Sequence, residues 1–296
     1  MTYELILGDR AYSSWSLRGW LLFEKFGLKA KSTYVDFSAA GHFKPQTVGE
    51  QLADMNLAPA RTVPTLITPE GALIWDSLAM DEELATRHPE AGHWPADPKL
   101  RATARTLAAE MHSSFGALRN DCPMNLRCAY SSYVPPEDVA ADVARLNQIF
   151  AYALDMSGGP WLCGDYSIAD VFFAPVAGRI AGYGLTMTGA ARGYIDTQLA
   201  DLVFRRWRAM GLVKGPDLPW YARDYDQTTW PGPQPLAARA VDSGTPENDT
   251  CPYSGDPVTH LMELEGRIFG FCNAFCRDKT VADPAAWPAF MEIYQS

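Results

Sequence analysis

Hydroxyl side chains cluster where the sequence pattern predicts the start of a helix. The segment YSSWSLR, residues 12–18, follows a predicted strand at Tyr3–Leu7 and opens a predicted helix over residues 16–26. The free N–H groups and the macrodipole at a helix N-terminus favour a bound anion. Ser13, Ser14 or Ser16 can equally serve as an ordinary helix cap, so the segment alone leaves both interpretations open.

Two further short motifs could hold a peptide-like ligand. Val63-Pro64 immediately precedes a predicted strand, where a cis-proline turn would direct the Val63 backbone toward such a ligand. Asp76-Ser77 opens another predicted helix and suits a ligand carboxylate, with simple capping as the alternative.

The elements that position these motifs follow the order βαβ, α, ββ, α, which predicts a thioredoxin-like α/β domain over residues 1–89. Helical patterns at 98–119, 136–156, 168–182 and 192–210 predict an all-α bundle over 98–213. A proline-rich surface strap is predicted at 214–248, and a small cysteine-containing module at 249–296.

The three motifs, in this order and in this fold pattern, resemble those of cytosolic glutathione transferases. The resemblance covers about residues 1–215 and includes Ser167 to Asp170, which is similar to the family's helix-capping box. It implies that Val63 and Pro64 hold the cysteinyl backbone of glutathione and that Asp76 and Ser77 hold its γ-glutamyl end.

Within that family, SSWSLR is most similar to the serine-using, zeta-like members. The resemblance implies that Ser13 is the catalytic serine that stabilises the glutathione thiolate, with Ser14 as its neighbour. Zeta members that isomerise maleylacetoacetate differ here: they have a cysteine where this chain has Trp15, and an arginine where it has Gly182, with Arg179 about one turn earlier. The resemblance therefore implies a glutathione transferase but does not extend to the isomerase residues.

Other polar and aromatic residues around the predicted cleft allow two interpretations each. His112, Arg119 and Asn120 could face an acceptor substrate or form a solvated helix face. A second set could roof the acceptor pocket or anchor the strap by packing: Trp220, Tyr221, Tyr225 and Trp230.

The composition of the chain limits the classes of molecule that it is expected to bind. A formal charge of −10 disfavours nucleic acid and anionic membranes, and no apolar run is long enough to cross a bilayer. We therefore expect a soluble, cytoplasmic protein whose six cysteines are thiols or metal ligands. The family resemblance implies a small electrophilic substrate, which the sequence does not identify, and a homodimer.

The tail concentrates three of the six cysteines. Cys272 and Cys276 are four residues apart on a predicted helical turn, and a hairpin turning near Glu265-Gly266 would bring Cys251 to them. The spacing resembles that of YHS or TRASH modules. Zinc is the default ion for thiolates, with a fourth ligand from His260, Asp256 or water. The alternative is a cluster of small buried thiols.

Two functions follow from these patterns. The first is an enzyme that conjugates the glutathione thiolate to a small electrophile. The second is a glutathione-binding or metal- and redox-sensing protein that uses the transferase fold as a scaffold, because a fold alone does not determine an activity.

Overall fold

A parallel βαβ unit opens the chain. The computed structural model describes residues 2–38 and 46–296. Strand β1, Tyr3–Leu7, pairs in parallel with β2, Ala30–Tyr34, and helix α1, Ser14–Glu24, connects them. Because α1 buries Leu17, Leu21 and Leu22 against the sheet, its N-terminus is fixed at the end of β1.

A hairpin completes the first sheet. Strand β3, Thr65–Ile67, runs antiparallel to β1, and β4, Leu73–Ile74, runs antiparallel to β3, which gives the sheet order β2-β1-β3-β4. Helices α2, Val48–Asp54, and α3, Ser77–Arg87, flank these strands in sequence. The predicted thioredoxin-like fold class is confirmed.

Six helices follow. They are α4 (Pro98–Ser113), α5 (Gly116–Asp121), α6 (Glu137–Ser157), α7 (Ile168–Gly182), α8 (Gly189–Ala200) and α9 (Leu202–Val213). Every residue of α7 is buried, as expected for a helix at the centre of a bundle. The predicted capping box is present, because Ser167 and Asp170 each satisfy a backbone donor of the other.

Two predicted helices are each divided in the structure. The helix expected over 98–119 stops at Ser113, where Phe115 adopts a left-handed conformation with φ of 60°. The helix expected over 192–210 is interrupted at Asp201, whose carboxylate accepts hydrogen bonds from the backbone N–H groups of Val203 and Phe204. That side chain makes Asp201 an N-cap and starts a new helix.

The last part of the chain forms a second small sheet. Strands β5, Ala129–Tyr130, and β6, Gln227–Thr228, make a short pair, and a three-stranded antiparallel sheet has the order β7-β8-β9. The members of that sheet and the helices after it are β7 (Ala238–Val241), β8 (His260–Leu264), β9 (Arg267–Phe271), α10 (Ala274–Ala282) and α11 (Pro288–Gln295). The expected turn at Glu265-Gly266 joins β8 to β9, whereas β7 lies inside the segment predicted as a strap.

Contacts fasten this last part to the rest of the molecule. Arg205 of α9 forms a two-bond ion pair with Asp283, at 2.9 and 2.6 Å, and both side chains are mostly buried. In the β1–α1 loop, the guanidinium carbon of Arg10 lies 3.8 Å from the Tyr34 ring centroid and 5.6 Å from that of Phe275 in α10. Within the ranges described, no helix combines the length and the apolar character needed to cross a bilayer.

Candidate functional site

One pocket brings together all six residues that the sequence nominates for glutathione. Its volume is about 710 Å³, which is within the usual range for small-molecule sites. The six that line it are Ser13, Ser14, Val63, Pro64, Asp76 and Ser77.

Ser13 lines this pocket and also caps α1. Its Oγ accepts a hydrogen bond from the Ser16 backbone N–H at 3.2 Å and donates one to Ser16 Oγ at 2.7 Å. Ser16 Oγ in turn accepts from the Gly8 backbone N–H at 2.7 Å. Ser13 is only 6% exposed. It therefore both caps α1 and lies at the pocket wall, so the two interpretations are compatible.

Ser14 is the first residue of α1 and is half-buried at the pocket wall. Its Oγ accepts a hydrogen bond from Arg179 Nη2 at 3.3 Å. Its hydroxyl donates to no other side chain or backbone group in the part of the chain that the structure describes.

The proline turn packs directly on α1. The Val63–Pro64 peptide bond is cis, as the sequence analysis expected. Gly19 of α1 faces this turn so closely that a Cβ atom there would lie 2.6 Å from Pro64 Cβ. The absence of a side chain at Gly19 therefore allows the turn and the N-terminal half of α1 to form one wall of the pocket.

Asp76 and Ser77 form the wall at the start of α3. Asp76 Oδ1 accepts from the backbone N–H groups of Leu78 and Ala79, so Asp76 caps the helix. Its other oxygen lies 3.4 Å from His112 Nε2. Ser77 Oγ is buried and, among the described residues, has no hydrogen-bond partner. A buried hydroxyl without a partner is costly.

Three arginines surround the N-terminus of α1, a grouping that the sequence analysis missed. Arg18 and Arg179 are buried, and Arg119 lines the pocket. Burial lowers the pKa of Arg179 to about 10, and repulsion from Arg119 contributes. Burial also lowers the pKa of Arg18, followed by repulsion from Arg179 and Arg119. Within residues 2–38 and 46–296, none of the three forms an ion pair.

The hydrogen bonds of these arginines go to neutral acceptors. Arg18 Nε donates to the Phe172 carbonyl at 3.1 Å, and Arg179 Nε donates to the Cys122 carbonyl at 2.9 Å. The guanidinium carbons of Arg18 and Arg119 lie 4.4 and 5.0 Å from the Trp15 ring centroid. The pocket is therefore electropositive where it meets α1. The sequence pointed to Arg119 as an acceptor-side candidate and to Arg179 as a departure in spacing, but nothing in it placed either beside Arg18.

The acceptor-side candidates divide into two groups. His112, Arg119 and Tyr221 line the pocket, and Tyr221 packs on Tyr12 with ring centroids 4.8 Å apart. Four candidates are not among the lining residues: Asn120, Trp220, Tyr225 and Trp230. Tyr225 instead packs on Tyr130 and Tyr133, and Trp230 packs on Arg208, so these two are packing anchors.

The three tail cysteines converge in the structure. The sulfurs of Cys251, Cys272 and Cys276 all lie within 4.8 Å of one another. Cys251 is 1% exposed. Burial raises the pKa of its thiol, but the backbone N–H groups of Cys272, Tyr253 and Ser254 outweigh this and lower the pKa to about 7.

No carboxylate or imidazole of the described chain joins this group, so the suggested fourth ligands His260 and Asp256 are not part of it. The His260 ring instead lies 2.9 Å from the Thr259 hydroxyl.

Comparison with known proteins agrees with the fold. Residues 12–87 match the family model described as glutathione S-transferase, N-terminal domain. A solved glutathione transferase homolog from Burkholderia GL BGR1, with bound glutathione, is 22% identical with a TM-score of 0.52, and the match covers 71% of this chain and 98% of that one. No curated protein sequence matches the chain.

Two fungal structures give similar results. Glutathione transferase Omega 2S from Trametes versicolor is 19% identical with a TM-score of 0.51, covering 75% of this chain and 100% of that one. Omega 3C from the same fungus is 17% identical with a TM-score of 0.52, covering 74% and 91%. These matches show that the chain has the fold of glutathione transferases.

Proposed function

We propose that this protein is a serine-type, zeta-like glutathione transferase that conjugates the glutathione thiolate to a small electrophile. The observation that carries the proposal is the convergence of Ser13, Ser14, the cis Val63–Pro64 turn and Asp76-Ser77 on one pocket. Glutathione would lie along the turn, with its γ-glutamyl end at α3 and its sulfur at the N-terminus of α1.

The energy needed to activate the thiol is available at this position. A thiol of pKa near 8.5 is mostly protonated at neutral pH, and lowering that pKa by about two requires roughly 2.7 kcal/mol of preference for the thiolate. A hydrogen bond to a charged group contributes about 1.5–3 kcal/mol and a helix N-terminus about 0.3–1 kcal/mol. A serine hydroxyl with α1 is therefore sufficient.

The reaction needs no further catalytic group in its simplest form. With an aromatic halide, the thiolate attacks the ring carbon that bears the halogen, a C–S bond forms, and the halide leaves with the electron pair of the broken bond. The Arg119 and Arg179 guanidinium groups favour negative charge in the same region. By the family resemblance, Ser13 would donate the hydrogen bond to the thiolate, with Ser14 beside it.

The test is to measure glutathione affinity and turnover separately. We expect the wild type to bind glutathione and to conjugate a chlorodinitrobenzene. The double variant Ser13→Ala/Ser14→Ala should bind glutathione with little change but lose about 10- to 1,000-fold in kcat, as expected when about 1.5–4 kcal/mol of thiolate stabilisation is lost. Turnover that survives the double substitution would refute the assignment, and glutathione binding without any wild-type turnover would favour the scaffold function.

A second candidate function rests on the three-cysteine cluster. We propose that Cys251, Cys272 and Cys276 bind one zinc ion, with a non-protein ligand such as water completing the set. Zinc–sulfur bonds of about 2.3 Å place tetrahedral ligands about 3.8 Å apart, and Cys272 and Cys276 are 4.0 Å apart already. This site would make the tail a structural or metal-sensing unit on the transferase fold.

Metal analysis of purified, tag-free protein tests this second proposal. We expect about one equivalent of zinc, with loss of it in Cys276→Ser. The matched control is Cys128→Ser, because Cys128 is a half-buried thiol outside the cluster. Less than about a tenth of an equivalent of zinc, iron or copper in the wild type would leave the buried-thiol interpretation.

We further propose a cytoplasmic homodimer, following the family resemblance. Light scattering of the purified protein measures the assembly directly, and a mass matching one chain would contradict this part of the proposal.

A further inference from the structure

The two serines at the start of α1 are not equivalent. The Ser13 hydroxyl proton is engaged inside the protein, because it is donated to Ser16 Oγ at 2.7 Å. Ser13 Oγ also accepts from the Ser16 backbone N–H, and its side chain is almost fully buried. To reach a thiolate, Ser13 would have to give up a buried hydrogen bond on which the helix cap depends.

Ser14 has the opposite arrangement. Its oxygen is the acceptor, since Arg179 Nη2 donates to it at 3.3 Å. A hydroxyl has a single proton, and a donor on its oxygen directs that proton elsewhere. Ser14 is half-buried at the pocket wall, so its proton is available to a ligand.

Arg179 is held rigidly enough to set this geometry. Its guanidinium also donates to the carbonyls of Cys122 at 2.9 Å and Pro175 at 3.3 Å. All three acceptors are neutral, and the side chain is only 6% exposed. A buried cation without a counterion is unfavourable unless a ligand supplies the negative charge. A sulfur bound at Ser14 would supply it when ionised.

We propose that Ser14 donates the hydrogen bond that stabilises the glutathione thiolate, and that Arg179 of α7 is the residue that positions and polarises its hydroxyl. Ser13 then acts only through the cap of α1. This inference rests on the proposed glutathione transferase function and divides the roles of the two serines within it. A donor that itself accepts from a cation is strengthened, so the serine and the arginine act as one unit.

The direct readout is the pKa of the bound glutathione thiol, followed by the ultraviolet absorbance of its thiolate across a pH series. We expect Ser14→Ala and Arg179→Met each to raise that pKa by about one to two. Because they act as one unit, the double variant should raise it little further. Arg179→Lys should restore part of the shift, since it returns the charge without the fixed fork.

Two comparison variants make the result specific. Ser13→Ala should raise the bound-thiol pKa by less than about 0.5, and its main effect should be a lower unfolding midpoint from loss of the helix cap. Arg192→Met removes an exposed arginine of α8 that pairs with Asp196, and it should leave the bound-thiol pKa unchanged.

The outcomes separate this inference from the function on which it rests. If the wild type fails to bind glutathione, the proposed function fails. If glutathione binds with a lowered thiol pKa, but Ser13→Ala raises that pKa more than Ser14→Ala does, the role given to Ser14 is wrong and the transferase proposal stands. Should Arg179→Met not fold, the comparison of the two serine variants still decides between these results.

Discussion

A buried carboxyl group in α3 makes a strong prediction about stability. Asp81 is fully buried, and neither of its oxygens has a hydrogen-bond partner in the described part of the chain. Burial, followed by repulsion from Glu82, raises the pKa of Asp81 from 3.8 to about 8. The folded protein therefore keeps this proton at neutral pH, whereas the unfolded chain releases it.

The direction of the effect follows from proton binding. Between pH 3.8 and about pH 8 the folded state binds more protons at Asp81 than the unfolded state does, so the free energy of unfolding falls as the pH rises. Each pH unit in this range corresponds to about 1.36 kcal/mol. Over the roughly three units from pH 4 to pH 7, Asp81 should cost the folded state about 4 kcal/mol.

Asp81→Asn removes this titration and leaves the shape nearly unchanged. The free energy of unfolding of the variant minus that of the wild type should therefore increase by about 4 kcal/mol between pH 4 and pH 7. Urea unfolding curves at several pH values in this range measure the difference, in which the contributions of all other titrating groups cancel.

The matched control is Met80→Leu. Met80 is a buried residue of the same helix without a titrating group, and a hydrophobic swap of similar volume costs less than about 1.5 kcal/mol. Its difference from the wild type should be nearly independent of pH. If the difference for Asp81→Asn is equally flat, then Asp81 is ionised in the folded protein and the reasoning from its burial is refuted.

Two further predictions concern packing and a buried ion pair. Gly19→Ala should destabilise the fold by about 1–3 kcal/mol and weaken glutathione binding, because the new methyl group meets Pro64. The control Gly193→Ala lies in α8 with open space around it and should instead stabilise the fold by about 0.5–1 kcal/mol. If unfolding curves show equal effects for the two variants, the close contact between Gly19 and Pro64 is contradicted. Asp283→Asn should cost about 3 kcal/mol, because it leaves the mostly buried Arg205 without its charge partner. The double variant Arg205→Met/Asp283→Leu should recover most of this loss on thermal unfolding, and no recovery would show that the packing around the pair matters more than its charges.

Local patterns predicted much of the fold. The strand at Tyr3–Leu7 and the helix that follows the acidic cap at Asp76 each depend on a pattern of only a few neighbouring residues. Both elements are present with almost the expected bounds. The break at Asp201 was missed because apolar periodicity continues across it, while the capping hydrogen bonds that start α9 depend on one side chain. The strand at Ala238–Val241 was missed because its partner residues lie 20 to 26 positions later in the chain.

The site was predictable only where its residues lie in short motifs. The six nominated residues come from three local segments, and each was recognised by its position next to a strand or helix. Arg179 was noted only as a departure from the family's spacing, because its contact with Ser14 joins residues 165 positions apart. Such a contact is set by the packing of α7 against α1, which no local pattern records.

The contact of Arg10 with α10 has a consequence for shortened versions of the chain. Arg10 lies three residues before Ser13, in the loop that leads into α1, and its guanidinium is enclosed by Tyr34, Phe275 and, at 6.0 Å, Trp207. Cutting away the tail would remove the aromatic ring of Phe275 and open one side of that enclosure to water. A truncated protein would therefore lose packing in the loop that leads into α1, although no tail residue is among the described residues that line the pocket.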